Sequence, residues 1–333
     1  MRRETIPTHA KIHGTCSYCG TEDQSLVEPI ALRDAFEQII SIYTLSEDGK
    51  SLVEWLKEDW AMFDHRSMDI ANAKVLLADI LDDGEIVRKN FVPATSSNTE
   101  ALDGWEELRQ ELMHENRFFP RNRIDNEQLP PLLDQLKLEQ DELEFYVRWY
   151  RARIQQTEEG FSVDKMGAPP KELASHGRAN PVGIPYLYLA STPTTAISEV
   201  RPHTGETASV ADFQIPNNLK IIDLRNPRKT FSPFFYIFNL QEEKLESLRG
   251  WIGLLERLGE ELTRPVLPHA AAIHYIPSQY LCEFVKKCGY DGVMYRSSVE
   301  REGVNIALFN PSQAKVGGVT KRRVSRVSVE IDD

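Results

Sequence analysis

No apolar run in this chain approaches the ~20 residues that a membrane-spanning helix needs, so a membrane protein is not expected. There are no repeats and no low-complexity tracts. There is also no GxGxxG after a strand, no P-loop and no HExxH, which removes the commonest dinucleotide, nucleotide and zinc-protease signatures. Cysteine is scarce. Four in 333 residues are too few for a disulfide scaffold and read as reduced thiols of a cytoplasmic protein. The opening MRRETIPTHAKIHG has basic residues but no apolar stretch behind them, so no signal peptide is expected. Positive charge is also short, with 39 Lys+Arg against 51 Asp+Glu and a net charge of −12. The shortfall is uneven. Residues 1–145 hold 15 basic and 30 acidic residues, whereas residues 146–333 hold 24 and 21. The acidic first part argues against a broad nucleic-acid surface there. The near-neutral second part permits an anionic small-molecule ligand.

What is present is an ordinary globular composition, 41% hydrophobic and 27% charged, long enough for two domains. Residues 27–150 read as all-helical. VEPIALRDAFEQIISIY has helical spacing with a proline in its first turn, SLVEWLKEDWAMF opens on a serine cap, and MDIANAKVLLADILDD ends in an acidic loop. TEALDGWEELRQELMHENRFF and LPPLLDQLKLEQDELEFYVRWY follow, with VPATSSNT as a linker before them. Their Trp, Phe and Leu stripes suit the core of a helical bundle.

Two short features stand out in this first part. Cys16-Ser-Tyr-Cys19-Gly20 sets two thiols on a tight turn, half of a zinc site that His9 or His13 would have to help complete; the alternative is a turn with two partly buried thiols. Arg109 and His114 lie five apart on one expected helix, close enough to face one groove. That pair resembles the Arg-x4–6-His motif of HEPN domains, helical modules that are often dimeric RNases. The resemblance implies a phosphate held by the arginine and 2′-OH attack assisted by the histidine. The surrounding Glu106, Glu107, Glu111 and Glu115 speak instead for a solvated helical face.

From about residue 148 the pattern changes. WYRARIQ reads as extended, and MGAPPKELASHGRANPVGIP as a loop leading into the short strand YLYLA. In STPTTAISEVRP, Ser191 or Thr192 is the helix cap, Pro193 sits at the first helical position, and the helix stops before Pro202. ASVADFQIP and LKIIDLR read as strands, FSPFFYIFNLQEEKLESLRGWIGLLERLGEEL as a helix or helix pair, and PSQYLCEFVKKCGYDG as a helix capped at or just before Ser278. DGVMYRSS and GVNIALFNP complete the strands, and VTKRRVSRVSVEIDD is a basic edge strand or tail. The mixture lacks βαβ regularity, which favours an α+β fold.

YRA, GRAN, YLYLA, TAISEVRP and PSQYLCEFVKKCGYDGVMYRS together resemble the RES domain, named for its Arg, Glu and Ser, over about residues 146–320. The first part resembles, more loosely, the HEPN/RES-type helical region fused to such domains. The implied organisation is 1–145 as that helical domain with its CxxC knuckle, 146–320 as the RES domain and 321–333 as a basic tail. The implied fold of the second domain is ADP-ribosyltransferase-like, a split β-core flanked by helices. The implied activity is consumption of NAD+ by cleavage of the nicotinamide–ribose bond, as a glycohydrolase or phosphorylase. The implied biology is a growth-arrest toxin or anti-phage effector. The implied partners are NAD+, an antitoxin or phage trigger, and a second copy of the chain. Three other readings stay open: a protein ADP-ribosyltransferase of the same fold, an HEPN-type RNase whose RES part binds a nucleotide, and a binding module with an inactive pocket.

The resemblance also assigns residues. Arg151 matches the family's first arginine, with Arg153 as a substitute on the same face, and Arg178 matches the second. Arginine suits a pyrophosphate because its planar fork binds phosphate oxygens bidentately. Tyr188, or Tyr186 on the same strand face, would stack on the cationic nicotinamide. Glu199 would stabilise the cation that develops at C1′; the plainer alternative is a salt bridge to Arg201. Ser278 would contact the nicotinamide side, although its residue type alone asks for nothing beyond a helix cap.

Overall fold

The computed structural model describes residues 12–94, 100–122, 129–138, 148–234, 237, 245–267 and 269–328. The chain divides into two compact units, one of Met1–Glu106 and Arg228–Leu255, the other of Glu107–Pro227 and Glu256–Asp333.

The first unit mixes helices with strands. Strands β1 (Ile12–Gly14) and β2 (Gln24–Leu26) pair antiparallel around the CxxC turn. They are followed by α1 (Arg33–Ile40), β3 (Tyr43–Ser51), α2 (Leu52–Trp60), α3 (Ile70–Leu81) and β4 (Asn90–Pro93). Helices α2 and α3 start at caps, whereas the helix expected with Pro29 in its first turn starts only at Arg33, after a 3-10 turn over Pro29–Leu32. Asp69 caps α3 by accepting from Asn72 N at 2.7 Å, and Glu54 accepts both the N–H and the hydroxyl of Ser51 at the start of α2. Phe36, Ile39, Leu52, Leu56, Trp60, Leu77 and Ile80 fill the core. The all-helical expectation fails at β3 and β4, which pair antiparallel from Tyr43↔Pro93 to Ser51↔Asn90. Only part of the reason is local. Tyr43 and Thr44 favour extended backbone, and Gly49 lets the strand pass so close to the Phe91 carbonyl that any Cβ there would collide with it. The linker VPATSSNT lies outside the described residues from 95 to 99.

Helix α4 (Glu100–His114) is followed by α5 (Leu129–Gln135). The helix expected over 129–150 stops there, and residues 139–147 lie outside the described range. The second unit is built on a seven-stranded sheet of β5 (Trp149–Ile154), β6 (Leu187–Ala190), β7 (Thr207–Gln214), β8 (Ile221–Asp223), β9 (Gly292–Arg296), β10 (Val304–Leu308) and β11 (Lys315–Arg323). The strand order is β11-β7-β5-β6-β10-β9-β8. Every pairing is antiparallel except β8 with β9. Strands β5 and β7 share six registered pairs, whereas β5 and β6 share one, Tyr150↔Ala190. The helices that follow are α6 (Pro193–Glu199), α7 (Pro227–Thr230), α8 (Leu245–Thr263), α9 (Ala271–His274) and α10 (Ile276–Lys287); of these, α7 from residue 228 on and the first part of α8 belong to the first unit, and the rest to the second. The basic segment Lys321–Arg323 ends β11, an edge strand, where positive side chains discourage further pairing.

Side-chain alternation gives the sheet two faces. Trp149, Leu187, Leu189, Ala211, Phe213, Ile306 and Leu308 form the larger core on one face. On the other, Ala152, Ala190, Ala208 and Val210 pack against Ala196 and Ile197 of α6. The small residues on that second face let the seven-residue α6 lie close to the strands.

Candidate functional site

The Gly177–Asn180 turn is pinned by its own side chains and by α10. Gly177 N donates to Asn180 O at 2.9 Å. The Asn180 amide donates to the carbonyls of Ser175, Pro181 and Ile184 at 2.9–3.0 Å. The Tyr188 hydroxyl donates to Asn180 Oδ1 at 2.7 Å and accepts from Ala179 N at 3.0 Å. Gly177 is required by space: a Cβ there would lie 2.5 Å from both Asn180 Oδ1 and Tyr188 Oη. From α10, Gln279 Nε2 donates to Gly177 O at 2.8 Å and Ser278 Oγ donates to Arg178 O at 2.6 Å.

With its backbone held, Arg178 projects its guanidinium onto neutral partners. Its Nη1 donates to the carbonyl of Arg264, its Nη2 to Ser298 Oγ at 3.0 Å, and its Cζ lies 5.3 Å from the centroid of the Tyr275 ring. Among the described residues no carboxylate pairs with it. A half-buried arginine satisfied only by dipoles keeps its charge available to an anion.

Glu199 ends α6, which is capped by Thr192 accepting from Thr195 N at 3.0 Å and has Pro193 at its first position. The Oε1 of Glu199 accepts from Ser297 Oγ at 2.7 Å and from Asn305 Nδ2 at 2.6 Å. No hydrogen bond reaches its Oε2 among the described residues, and no ion pair to Arg201 forms there. Asn305 is opposite Ala190 and Tyr295, so it lies on the α6 face of the sheet. Gly303 brings the β9–β10 turn against α6, since a Cβ would sit 2.6 Å from Thr195 Cγ2 and 2.9 Å from Ser297 Cβ. Ser297 thus holds Glu199 while its neighbour Ser298 holds Arg178. Burial pushes the Tyr295 phenol well above its ordinary pKa; Tyr188 and Glu199 push it further up and Arg178 opposes them.

Arg151 and Arg153 alternate with Ala152 and so fall on the sheet face opposite α6. Arg151 reaches the seam between β5 and β6, where its Nη1 donates to Tyr188 O at 3.1 Å. Its Nε is buried without a hydrogen-bond partner. Burial, followed by the neighbouring Arg153 charge, lowers its pKa. Arg153 turns away, donating to Lys165 O at 2.6 Å and stacking on Phe161 at 4.0 Å. Tyr186 is fully packed between the ring of Phe309, at 5.0 Å, and Lys286 of α10, and its hydroxyl has no hydrogen-bond partner.

Ser278 is not a helix cap. Helix α10 starts two residues earlier at Ile276, and the fully buried Ser278 hydroxyl donates to Arg178 O and to Tyr275 O rather than accepting from an amide. Arg109 and His114 do not share a groove. Five residues at 3.6 per turn set them about 140° apart around α4. Arg109 is 7% exposed and bonded to Glu261, while His114 is exposed. At the CxxC turn, Gly20 takes φ +68 and Cys19 Sγ lies 3.1 Å from Thr21 Oγ1, which contacts His65 Nε2 at 3.3 Å. Among the described residues no cluster of three His, Cys, Asp or Glu is placed to hold a metal ion, and His9 lies outside them. Among the described residues the CxxC turn therefore lacks the further ligands that a zinc site needs. No described helix is long and apolar enough to cross a membrane.

Ser297, Ser298, Tyr295 and Asn305 were not anticipated. One signal was available: Asn305 is a polar residue inside the apolar strand VNIAL, and a buried amide of that kind needs a designated partner.

This geometry defines a class, a mixed α and β protein whose candidate site joins a fixed carboxylate to an arginine held without a counter-charge among the described residues. The RES-domain family matches residues 148–329, more than half of the chain, and the chain belongs to that family. No curated protein matches it. Among solved structures, a chain of the M. tuberculosis MbcT–MbcA toxin–antitoxin complex overlays with a TM-score of 0.32 at 11% identity, covering 58% of this chain and 95% of that one. An overlap that loose carries no argument about fold or function.

Proposed function

We propose that the chain consumes NAD+ by breaking the nicotinamide–ribose bond. The observation that carries this reading is the Ser297–Ser298 pair, which ties the Glu199 carboxylate and the Arg178 guanidinium into one site. When the C1′–N bond breaks, its electron pair leaves with nicotinamide and positive charge develops on the ribose. Glu199, oriented through Oε1, offers Oε2 to that charge and to the ribose hydroxyls. Arg178 takes the pyrophosphate, and its partners Arg264 O and Ser298 Oγ set its fork before the substrate arrives. The uncompensated Arg151 adds positive potential at the β5–β6 seam, and Tyr188 presents its ring on the α6 face beside Arg178. Ser278 acts through the backbone of Arg178. A water or phosphate oxygen then adds to C1′ and loses its proton, which makes the enzyme a glycohydrolase or a phosphorylase.

The single registered pair between β5 and β6 supports an ADP-ribosyltransferase-like split core. In this reading residues 146–320 carry the chemistry, 1–145 restrain it, and 321–333 form a basic tail. Loss of NAD+ would arrest growth, so the biology is that of a toxin or anti-phage effector in the cytoplasm, restrained by an antitoxin or released by a phage trigger. The test is nicotinamide release from NAD+ by purified protein, with and without phosphate. Release is expected; NAD+ left intact in both conditions would overturn the reading. Label from NAD+ retained on protein would instead mark a transferase.

A further inference from the structure

Arg109 has a partner set that leads to the site. Its Nε lies 2.9 Å from Glu261 Oε1, with the two side chains 8% and 1% exposed. Glu261 also meets Arg264, whose Nη2 is 3.3 Å from its Oε2, and Arg257, whose Nε is 3.9 Å from its Oε1. One buried carboxylate thus answers three arginines. For Arg264 that charge matters most, because its Nε and Nη2 are buried and form no hydrogen bond. Arg264 directly follows the last residue of α8, and its N–H closes that helix by donating to Glu260 O at 2.7 Å. Its own carbonyl is one of the acceptors a helix end leaves over, at the negative pole of the helix dipole. The guanidinium of Arg178 binds that carbonyl.

We propose that Arg109 and Glu261 are positioning residues for Arg178: the pair fixes the Arg264 side chain, and with it the carbonyl that aims the Arg178 guanidinium. The family match, residues 148–329, does not reach Arg109. The proposal rests on Arg178 binding the pyrophosphate, and it gives an arginine that looked like half of a nuclease motif a different task. A buried carboxylate among several arginines is not needed for stability alone, since apolar side chains of similar volume often serve as well.

The experiment uses the full chain with Glu261→Gln and, because that change leaves the buried Arg264 without its counter-charge and can unfold the protein, a second variant, Arg109→Met, in which Glu261 keeps Arg264 and Arg257. Thermal melts establish that each is folded. Phenylglyoxal labelling, read by mass spectrometry at Arg178, should run several-fold faster in both variants than in the wild type. With NAD+ as substrate, KM should rise about tenfold with a smaller change in kcat, and Glu261→Gln should add nothing in an Arg178→Ala background. Unchanged labelling of Arg178 in the folded variants, or a Glu261→Gln effect that multiplies with that of Arg178→Ala, overturns the proposal. If the wild type releases no nicotinamide, the reading of function fails, while the labelling rate still decides whether Arg109 and Glu261 hold Arg178.

Discussion

Glu199 is held by one oxygen and offers the other. Ser297 and Asn305 both donate to Oε1, so the carboxylate cannot rotate without breaking two hydrogen bonds. Glu199→Gln keeps the shape and removes the charge. It should lower the rate of nicotinamide release by about 10²–10³-fold, the scale of losing one designated electrostatic contact, while the melting temperature stays close to that of the wild type. Ser297→Ala leaves Asn305 in place and should cost about tenfold in kcat, in line with one hydrogen bond to a charged group. Gly177→Ala is of another kind. Its Cβ would press on Tyr188 Oη and Asn180 Oδ1 at 2.5 Å, so the turn must open. A loss of about 1–3 kcal/mol is expected from such overpacking, measured by denaturant unfolding, together with a raised KM for NAD+.

At the scale of elements, the site depends on a helix of seven residues. Helix α6 has few internal hydrogen bonds and relies on its cap and on the small-residue face beneath it. Thr192→Ala removes the acceptor for Thr195 N and should cost about 1 kcal/mol in denaturant unfolding. Because Glu199 sits at the far end of the same helix, kcat should fall too; an unchanged kcat would show that the strands alone fix Glu199. Capped helices such as α2, α3 and α6 were legible because caps are local. The pairing of β3 with β4 was not, since it joins residues 39 to 50 apart and depends on the close approach at Gly49. The role of Ser278 was legible as a residue of interest but not as chemistry, because its acceptor is Arg178 O, 100 residues earlier.

At the scale of the whole molecule, buried phenols set an alkaline limit. Burial raises the pKa of Tyr43, Tyr186 and Tyr295 above the ordinary value near 10. In the folded protein these groups keep their protons while the unfolded chain releases them. The unfolded state then binds fewer protons, so stability falls as pH rises. The contribution should be intact below about pH 10 and be lost progressively above it. Melting temperatures from near-neutral pH into that alkaline range should show it, with the phenolate signal of these three tyrosines, isolated by Tyr→Phe difference spectra, rising only together with unfolding. Ionisation of these tyrosines in the intact fold would contradict the burial.

The sequence by itself determined the capped starts of α2 and α6, the extended segments and the local settings of the candidate residues: an arginine in a Gly-Arg turn, a tyrosine in a short strand, a glutamate closing a capped helix. These follow from nearest-neighbour sterics and local hydrogen bonding, which act over a few residues. Only the tertiary structure decided which of them work together. It placed Arg151 and Arg153 on the sheet face opposite Glu199, buried Arg109 against Glu261 away from His114, and brought Ser297 and Ser298 between Glu199 and Arg178. Those partnerships span 98 to 152 residues of chain and are set by strand register and helix packing. No local pattern encodes them, because a one-residue slip of register would turn each strand's side chains to the other face.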